Sequence, residues 1–187
     1  LNRTMYGESV KPPQPPGLWK AVTMIGERYK ADSGDAIYRR SIYTYWKRGM
    51  PPPQMTILNA PSREFCTPRR ERTNTPLQAL LLMNEPEYFR LAASCADLTR
   101  KETANDVDRG LTRLYEKITT QKPDESRMRL LRHALAQFRE LYSADVPLTE
   151  SLTPTMADAA HEQRVESAAW TMMAHSVLNL ELAKVKR

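Results

Sequence analysis

The densest run of groups able to do chemistry is Arg63-Glu64-Phe65-Cys66-Thr67-Pro68-Arg69-Arg70-Glu71-Arg72-Thr73-Asn74-Thr75-Pro76. Its arginines precede Thr75-Pro76-Leu77-Gln78, which sets an N-cap hydroxyl, a first-turn proline and a capping-box glutamine in the order that opens a helix. A helix N-terminus offers unpaired N–H groups and about half a positive charge, both suited to an anion. Guanidinium groups add planar donors matched to carboxylate, sulfate or phosphate. Arg63, Arg69, Arg70 and Arg72, with Asn74, are therefore candidates for holding an anionic glycan. Tyr45 and Trp46, beside Lys47 and Arg48, are candidates for stacking on its sugar rings. A competing structural reading pairs the arginines with Glu64, Glu71 and helix C-terminal carbonyls, and turns the aromatics into a core.

Other chemistries find less support. There is no Gly-x-Ser-x-Gly, and none of the three histidines stands near a plausible Ser or Cys in sequence, so nucleophilic catalysis is not indicated. With six glycines, neither common phosphate-cradling loop can be written. Cys-x-x-Cys-His is missing, so no c-type haem attaches to this chain and no cofactor is expected in it. The best metal candidate is Asp158-x-x-His161, a carboxylate and an imidazole at i and i+3 of an expected helix, with His175 farther along. Di-iron bundles use a similar pair twice, with two further glutamates. The second copy is missing here, which favours a solvated helix start.

The elements that would position these groups differ along the chain. Residues 1–36 show no sustained period; Pro12-Pro13-Gln14-Pro15-Pro16 reads as a polyproline strap that Trp19 anchors. Ile42-Tyr43-Thr44-Tyr45-Trp46 predicts a strand, with Met55-Thr56-Ile57-Leu58 as its partner after Pro51-Pro52-Pro53. From Thr75 the pattern turns helical. Leu77, Leu80, Leu81, Leu82 and Met83 predict a helix apolar nearly all round, hence buried. Asn84-Glu85-Pro86 stops it and starts a second, with Tyr88, Leu91, Ala92, Cys95 and Leu98 on its core face. Val107, Leu111, Leu114, Tyr115 and Ile118 stripe a third; Met128, Leu131, Leu135, Phe138 and Tyr142 stripe a fourth, with Arg127, Arg129, Arg132 and Arg139 on its solvated face. A loop through Pro147 and Pro154 leads to a last helix opened by Thr155-Met156-Ala157-Asp158 and central from Ala168 to Leu182. The expected fold is mainly α, a bundle of five helices with a proline-rich N-terminal segment carrying a short strand pair. Residues 1–74 form that basic segment and 75–187 the bundle, together one domain.

Composition bounds the rest. A chain of 187 residues with mean hydropathy −0.61 describes a soluble globular domain large enough to need no staple. Cys66 and Cys95 exclude a disulfide scaffold and any multi-thiolate metal site, and leave open whether the two pair. No stretch approaches the roughly 18 apolar residues of a membrane span. Residues 1–75 hold 13 Lys+Arg against 6 Asp+Glu, a balance of +7 against −1 for the rest, so all the excess positive charge sits in the proline-rich part. The opening Leu1-Asn2-Arg3 reads as the inside of a longer polypeptide.

Ser9-Val10-Lys11-Pro12, Gln14-Pro15-Pro16-Gly17-Leu18-Trp19 and Tyr38-Arg39-Arg40-Ser41-Ile42-Tyr43-Thr44-Tyr45-Trp46-Lys47-Arg48 carry a family resemblance. It continues through Ala60-Pro61-Ser62-Arg63-Glu64-Phe65-Cys66, Arg69 to Leu80, Asn84-Glu85-Pro86, Trp170 and Leu178-Asn179. The chain resembles the C-terminal part of the planctomycete family called domain of unknown function 1553. The resemblance implies a large exported protein, extracytoplasmic, in which this part follows a second uncharacterised domain and, in many members, a c-type cytochrome segment. It implies no activity and no catalytic residues. Asn59 stands where the family usually has Asp, and Leu178-Asn179-Leu180-Glu181-Leu182 lacks the family's final aromatic.

Three functions remain in view. The leading one is a non-catalytic helical domain that docks on the upstream domain of the same polypeptide. The second is a module for sulfated or carboxylated polysaccharide. The third is part of an enzyme completed by upstream sequence, with Arg72 and Asn74 contributing polar groups. Nucleic acid is not an expected partner: the basic excess is modest and no recognised module fits.

Overall fold

The structure, a computed structural model, describes residues 1–21, 29–71 and 73–184. The chain divides into two compact units, Leu1–Glu71 and Arg72–Arg187.

The first unit is built from turns rather than strands. Short 3-10 turns span Leu18–Ala21, Gly34–Tyr38 and Ser41–Tyr43, and one short helix, α1, spans Pro53–Ile57. The expected strand pair does not form. Val10 N–H donates to Tyr43 O at 2.7 Å and Tyr45 N–H to Val10 O at 2.7 Å, a single parallel bridge. The next rung would need an N–H from residue 12, and Pro12 has none, so the ladder stops at once. Met55–Ile57 turns helical because Pro53, with φ fixed near the helical value, takes the first position of α1. Asn59 follows with φ +54, the left-handed conformation that closes a helix and that Asn tolerates well.

Trp19 holds the proline strap. Its ring stacks on Tyr29 at 4.8 Å, and its Nε1–H donates to Gln14 Oε1 at 2.7 Å. Tyr29 Oη–H in turn donates to Pro12 O at 2.6 Å. Burial, and secondly the Asp32 carboxylate, push the Tyr29 hydroxyl up to about 12.

The second unit is wholly helical among the described residues, with seven α-helices rather than the five expected from Thr75 onward: α2 Pro76–Asn84, α3 Pro86–Glu102, α4 Val107–Thr119, α5 Glu125–Ala144, α6 Val146–Leu152, α7 His161–Leu178 and α8 Glu181–Lys184. Side-chain caps start most of them. Thr75 and Gln78 make the full capping box of α2, and Asp106, Asp124 and Asp145 each accept the N–H three residues on. The Asp145 cap, with Pro147 in the first turn, makes α6 out of the stretch expected as a loop. The last long helix starts later than expected: Pro154–Met156 is a 3-10 turn and α7 opens at His161 without a side-chain cap.

Helix α7 is the centre, packed between α3 and α5, with Ala168, Ala169, Trp170, Met173, Ala174 and Val177 all buried. The expected stripes of α4 and α5 face it: Leu111, Leu114, Tyr115, Met128, Leu135 and Tyr142 are buried. Helix α3 differs. Its buried residues are Ala92, Ala96 and Thr99, while Leu91 and Leu98, expected inside, are exposed. Small residues at i, i+4 and i+7 let two backbones approach closely, so the large side chains turn outward. Gly110 of α4 serves the same end: a Cβ there would lie 2.6 Å from the Trp170 ring.

Candidate functional site

The structure gives the arginines separate duties. Arg70 donates from Nε to Asn59 O at 3.2 Å and from Nη2 to Leu58 O at 3.0 Å, satisfying carbonyls just past the end of α1. Arg63, in a left-handed backbone position with φ +66, lies over the Trp46 ring at 4.9 Å. Glu64 pairs with Arg48 at 3.5 Å on the exposed surface. Arg69 is exposed and has no partner among the described residues. Arg72 lies outside the described residues, and Asn74, which belongs to the second unit, is exposed. Tyr45 carries Lys11 Nζ 5.1 Å from its ring centre and meets Trp19 at 6.2 Å. Arg70 holds helix-end carbonyls, as in the structural reading, whereas Arg63 lies on an aromatic ring, which that reading did not include.

Arg39 is the first unit's main organiser, and sequence reasoning missed it. Its guanidinium donates to Glu8 O at 2.9 Å, Thr4 O at 3.3 Å and Tyr6 O at 2.5 Å, and lies over Tyr43 at 3.9 Å. Tyr43 Oη accepts the Tyr6 N–H at 3.0 Å, which helps Tyr6 hold φ +64. Nothing in the spacing of Arg39-Arg40 distinguishes the residue that does this from its exposed neighbour.

In the second unit, Arg139 is not part of a solvated face. It grips Glu166 with two bonds, Nε at 2.8 Å and Nη2 at 2.6 Å, and Trp170 Nε1–H donates to the same carboxylate at 2.8 Å. Burial alone would raise the Glu166 carboxyl, but these donors outweigh it and hold it below the usual carboxylate range. An open groove of about 570 Å³ runs beside Glu102, Asp108, Arg113 and Arg132. Its charges close on one another: Asp108 takes Arg132 at 2.7 Å and Glu102 takes Lys117 at 2.8 Å. Hydrogen bonds from those partners hold both carboxyls low. Such a groove presents little uncompensated field to a ligand.

The metal candidates do not assemble into the expected pair. Asp158 sits in a turn before α7 and His161 at its start, both exposed, so they do not share a helical face. His175 Nε2 lies 3.2 Å from Leu82 O and its ring meets Phe89 edge-on at 5.4 Å. Among the described residues no three His, Cys, Asp or Glu gather to hold a metal ion. Cys66 and Cys95 are both free; Cys95 is half-buried, and burial pushes its thiol up.

The largest departure from expectation is α2. Leu77, Leu80 and Met83, at i, i+3 and i+6, are 57%, 53% and 55% exposed, and its one buried residue is the capping Gln78. Leu91 and Leu98 of α3 are exposed as well, at 45% and 58%. No helix among the described residues is long and apolar enough to cross a membrane.

No curated protein and no solved structure matches the chain. The family described as Protein of unknown function (DUF1553) matches residues 1–135, a span that takes in the first unit and runs to Leu135 within α5. That span covers the larger part of the 187 residues, and the chain belongs to the DUF1553 family.

Proposed function

We propose that this chain is a non-catalytic helical docking domain of an exported multidomain bacterial polypeptide, and that α2 is its contact helix. The supporting observation is the exposed apolar stripe of Leu77, Leu80 and Met83. A helix apolar nearly all round is normally buried, and a row of large apolar side chains in solvent marks an interaction surface. The occupant is a neighbouring domain of the same polypeptide, the arrangement that the family resemblance implies. The capping box at Thr75 and Gln78 fixes where this helix begins without using its apolar side chains. Leu77, Leu80 and Met83, each more than half exposed, contribute little to the unit's own folding and are left to a partner. The test is the double substitution Leu80→Lys and Met83→Lys. It leaves the thermal midpoint of this chain within about 2 °C, because exposed positions carry little stability. In the full-length polypeptide it exposes the α2 region to limited proteolysis. Unchanged proteolysis there overturns the proposal.

One observation favours a second reading, binding of a sulfated polysaccharide at the first unit: Arg69 is exposed with no partner among the described residues. Arg69→Gln would then weaken retention on heparin while leaving the thermal midpoint unchanged. Equal retention of variant and wild type removes this reading.

A further inference from the structure

Two stretches of the first unit, residues 1–10 and 38–45, touch in parallel at two isolated bridges, Asn2–Arg39 and Val10–Thr44. Successive side chains of extended backbone point to opposite sides, so the pair that follows a bridge lies together on the side facing away from it. The second bridge shows this arrangement. Val10 is buried, and the next pair meets, with Lys11 Nζ 5.1 Å from the Tyr45 ring centre. At the first bridge Asn2 and Arg39 are half-buried, and the next pair is Arg3 and Arg40, both exposed. Bridged backbones stand about 5 Å apart, so two guanidinium groups project side by side. Neither makes a side-chain hydrogen bond or an ion pair among the described residues. Glu8 and Asp35 are held on the other side: Arg39 donates to Glu8 O at 2.9 Å, and Asn2 Nδ2–H to Asp35 O at 3.2 Å. Like charges set opposite one another oppose folding, and an anion between them removes that cost.

We infer that Arg3 and Arg40 form a pincer for one sulfate ester of a polysaccharide. The inference rests on the polysaccharide reading of the first unit and gives it an anchor besides Arg69. A sulfate ester turns three outer oxygens toward its surroundings, enough acceptors for two guanidinium forks approaching from two chains; a carboxylate offers only two. Guanidinium is also the weakly hydrated cation that gives up water readily to such an anion. Both side chains are exposed, so a long polymer reaches them without entering a cavity. The pincer is separate from the α2 docking face, which lies in the other unit.

The experiment titrates dextran sulfate, polygalacturonate and unsulfated dextran into the whole chain at low salt, read by calorimetry. The wild type binds dextran sulfate, binds polygalacturonate more weakly and does not bind dextran. Arg3→Gln and Arg40→Gln each weaken dextran sulfate binding by about twofold to fivefold, the worth of an exposed charge pair. The double variant loses less than the product of the two, because both groups grip one sulfate. Exposed positions carry little stability, so these variants keep the fold. Arg129→Gln is the control: it removes an exposed arginine of α5 that has no ion pair among the described residues, and it leaves binding unchanged. Three results overturn the pincer alone. They are Arg69→Gln weakening binding while the Arg3/Arg40 double variant does not, Arg129→Gln weakening it as much as Arg3→Gln, and polygalacturonate binding as tightly as dextran sulfate. A wild type that does not bind dextran sulfate overturns the polysaccharide reading and the pincer with it.

Discussion

Replacing Gly110 with alanine tests how closely α4 lies on the central helix. The added Cβ would stand 2.6 Å from the nearest carbon of the Trp170 ring, against an ordinary carbon–carbon contact of about 3.5–4.0 Å. About 1 Å of movement is needed, and Trp170 has little room to give: it is 1% exposed and tethered through Nε1 to Glu166. Overpacking of this kind costs about 1–3 kcal/mol, and a pinned ring puts it in the upper half of that range. Alanine recovers about 1 kcal/mol through its better helix propensity. The net loss is then about 1–2 kcal/mol, a fall of roughly 4–8 °C in midpoint for a unit of this size. Urea denaturation of wild type, Gly110→Ala, Trp170→Phe and the double variant forms the decisive cycle. In the Trp170→Phe background the clash is gone and Gly110→Ala becomes stabilising by about 1 kcal/mol. A Gly110→Ala protein as stable as wild type, or equal effects in both backgrounds, would refute the close approach.

Glu166→Gln removes a charge that Arg139 and Trp170 satisfy, and should cost about 1–2 kcal/mol at neutral pH once screening on its exposed side is allowed for. Because the folded carboxyl is held low, the wild-type advantage is full above the unfolded value of about 4.3 and disappears as pH falls through the folded value. An advantage that persists unchanged to pH 2 would contradict the pairing. Tyr29 predicts the opposite flank. Its folded value of about 12 lies above the ordinary 10, so stability is full below pH 10 and is lost between 10 and 12. Tyr29→Phe should flatten that alkaline loss, as read by near-ultraviolet circular dichroism, and a variant with the same alkaline profile rules the assignment out. Arg70→Ala should loosen the end of α1, speeding amide exchange over residues 53–60 by about fivefold for a loss near 1 kcal/mol. Exchange unaltered there would mean that the carbonyls of Leu58 and Asn59 do not depend on Arg70.

The helix starts were legible because capping is local chemistry: Thr75 with Gln78, and Asp124 ahead of Glu125, are decided by side chains within four residues. The stripes of α4 and α5 were legible because large apolar residues face the core there. Helix α3 was not, since its core face is Ala92, Ala96 and Thr99, residues that no hydrophobicity pattern singles out. For α2 the pattern itself misled: five consecutive apolar residues predict burial, but no element of the second unit covers Leu77, Leu80 and Met83. The strand over Ile42–Trp46 failed on a signal present in the sequence, the prolines at 12 and 13 opposite it. Of the candidate site, the structural role of Arg70 was anticipated in kind, as a guanidinium on helix-end carbonyls. The hydrogen bonds of Arg39 to Glu8, Thr4 and Tyr6, and the Arg139–Glu166 pair, reach across 27 or more residues, which sequence spacing does not reveal.

Amide hydrogen exchange over residues 76–84, compared between this chain and the full-length polypeptide, tests the docking account most directly. The account predicts that α2 exchanges at least tenfold more slowly in the full-length protein, while α7, already central, changes little. Equal exchange of α2 in both would contradict it and leave Leu77, Leu80 and Met83 without the partner proposed here.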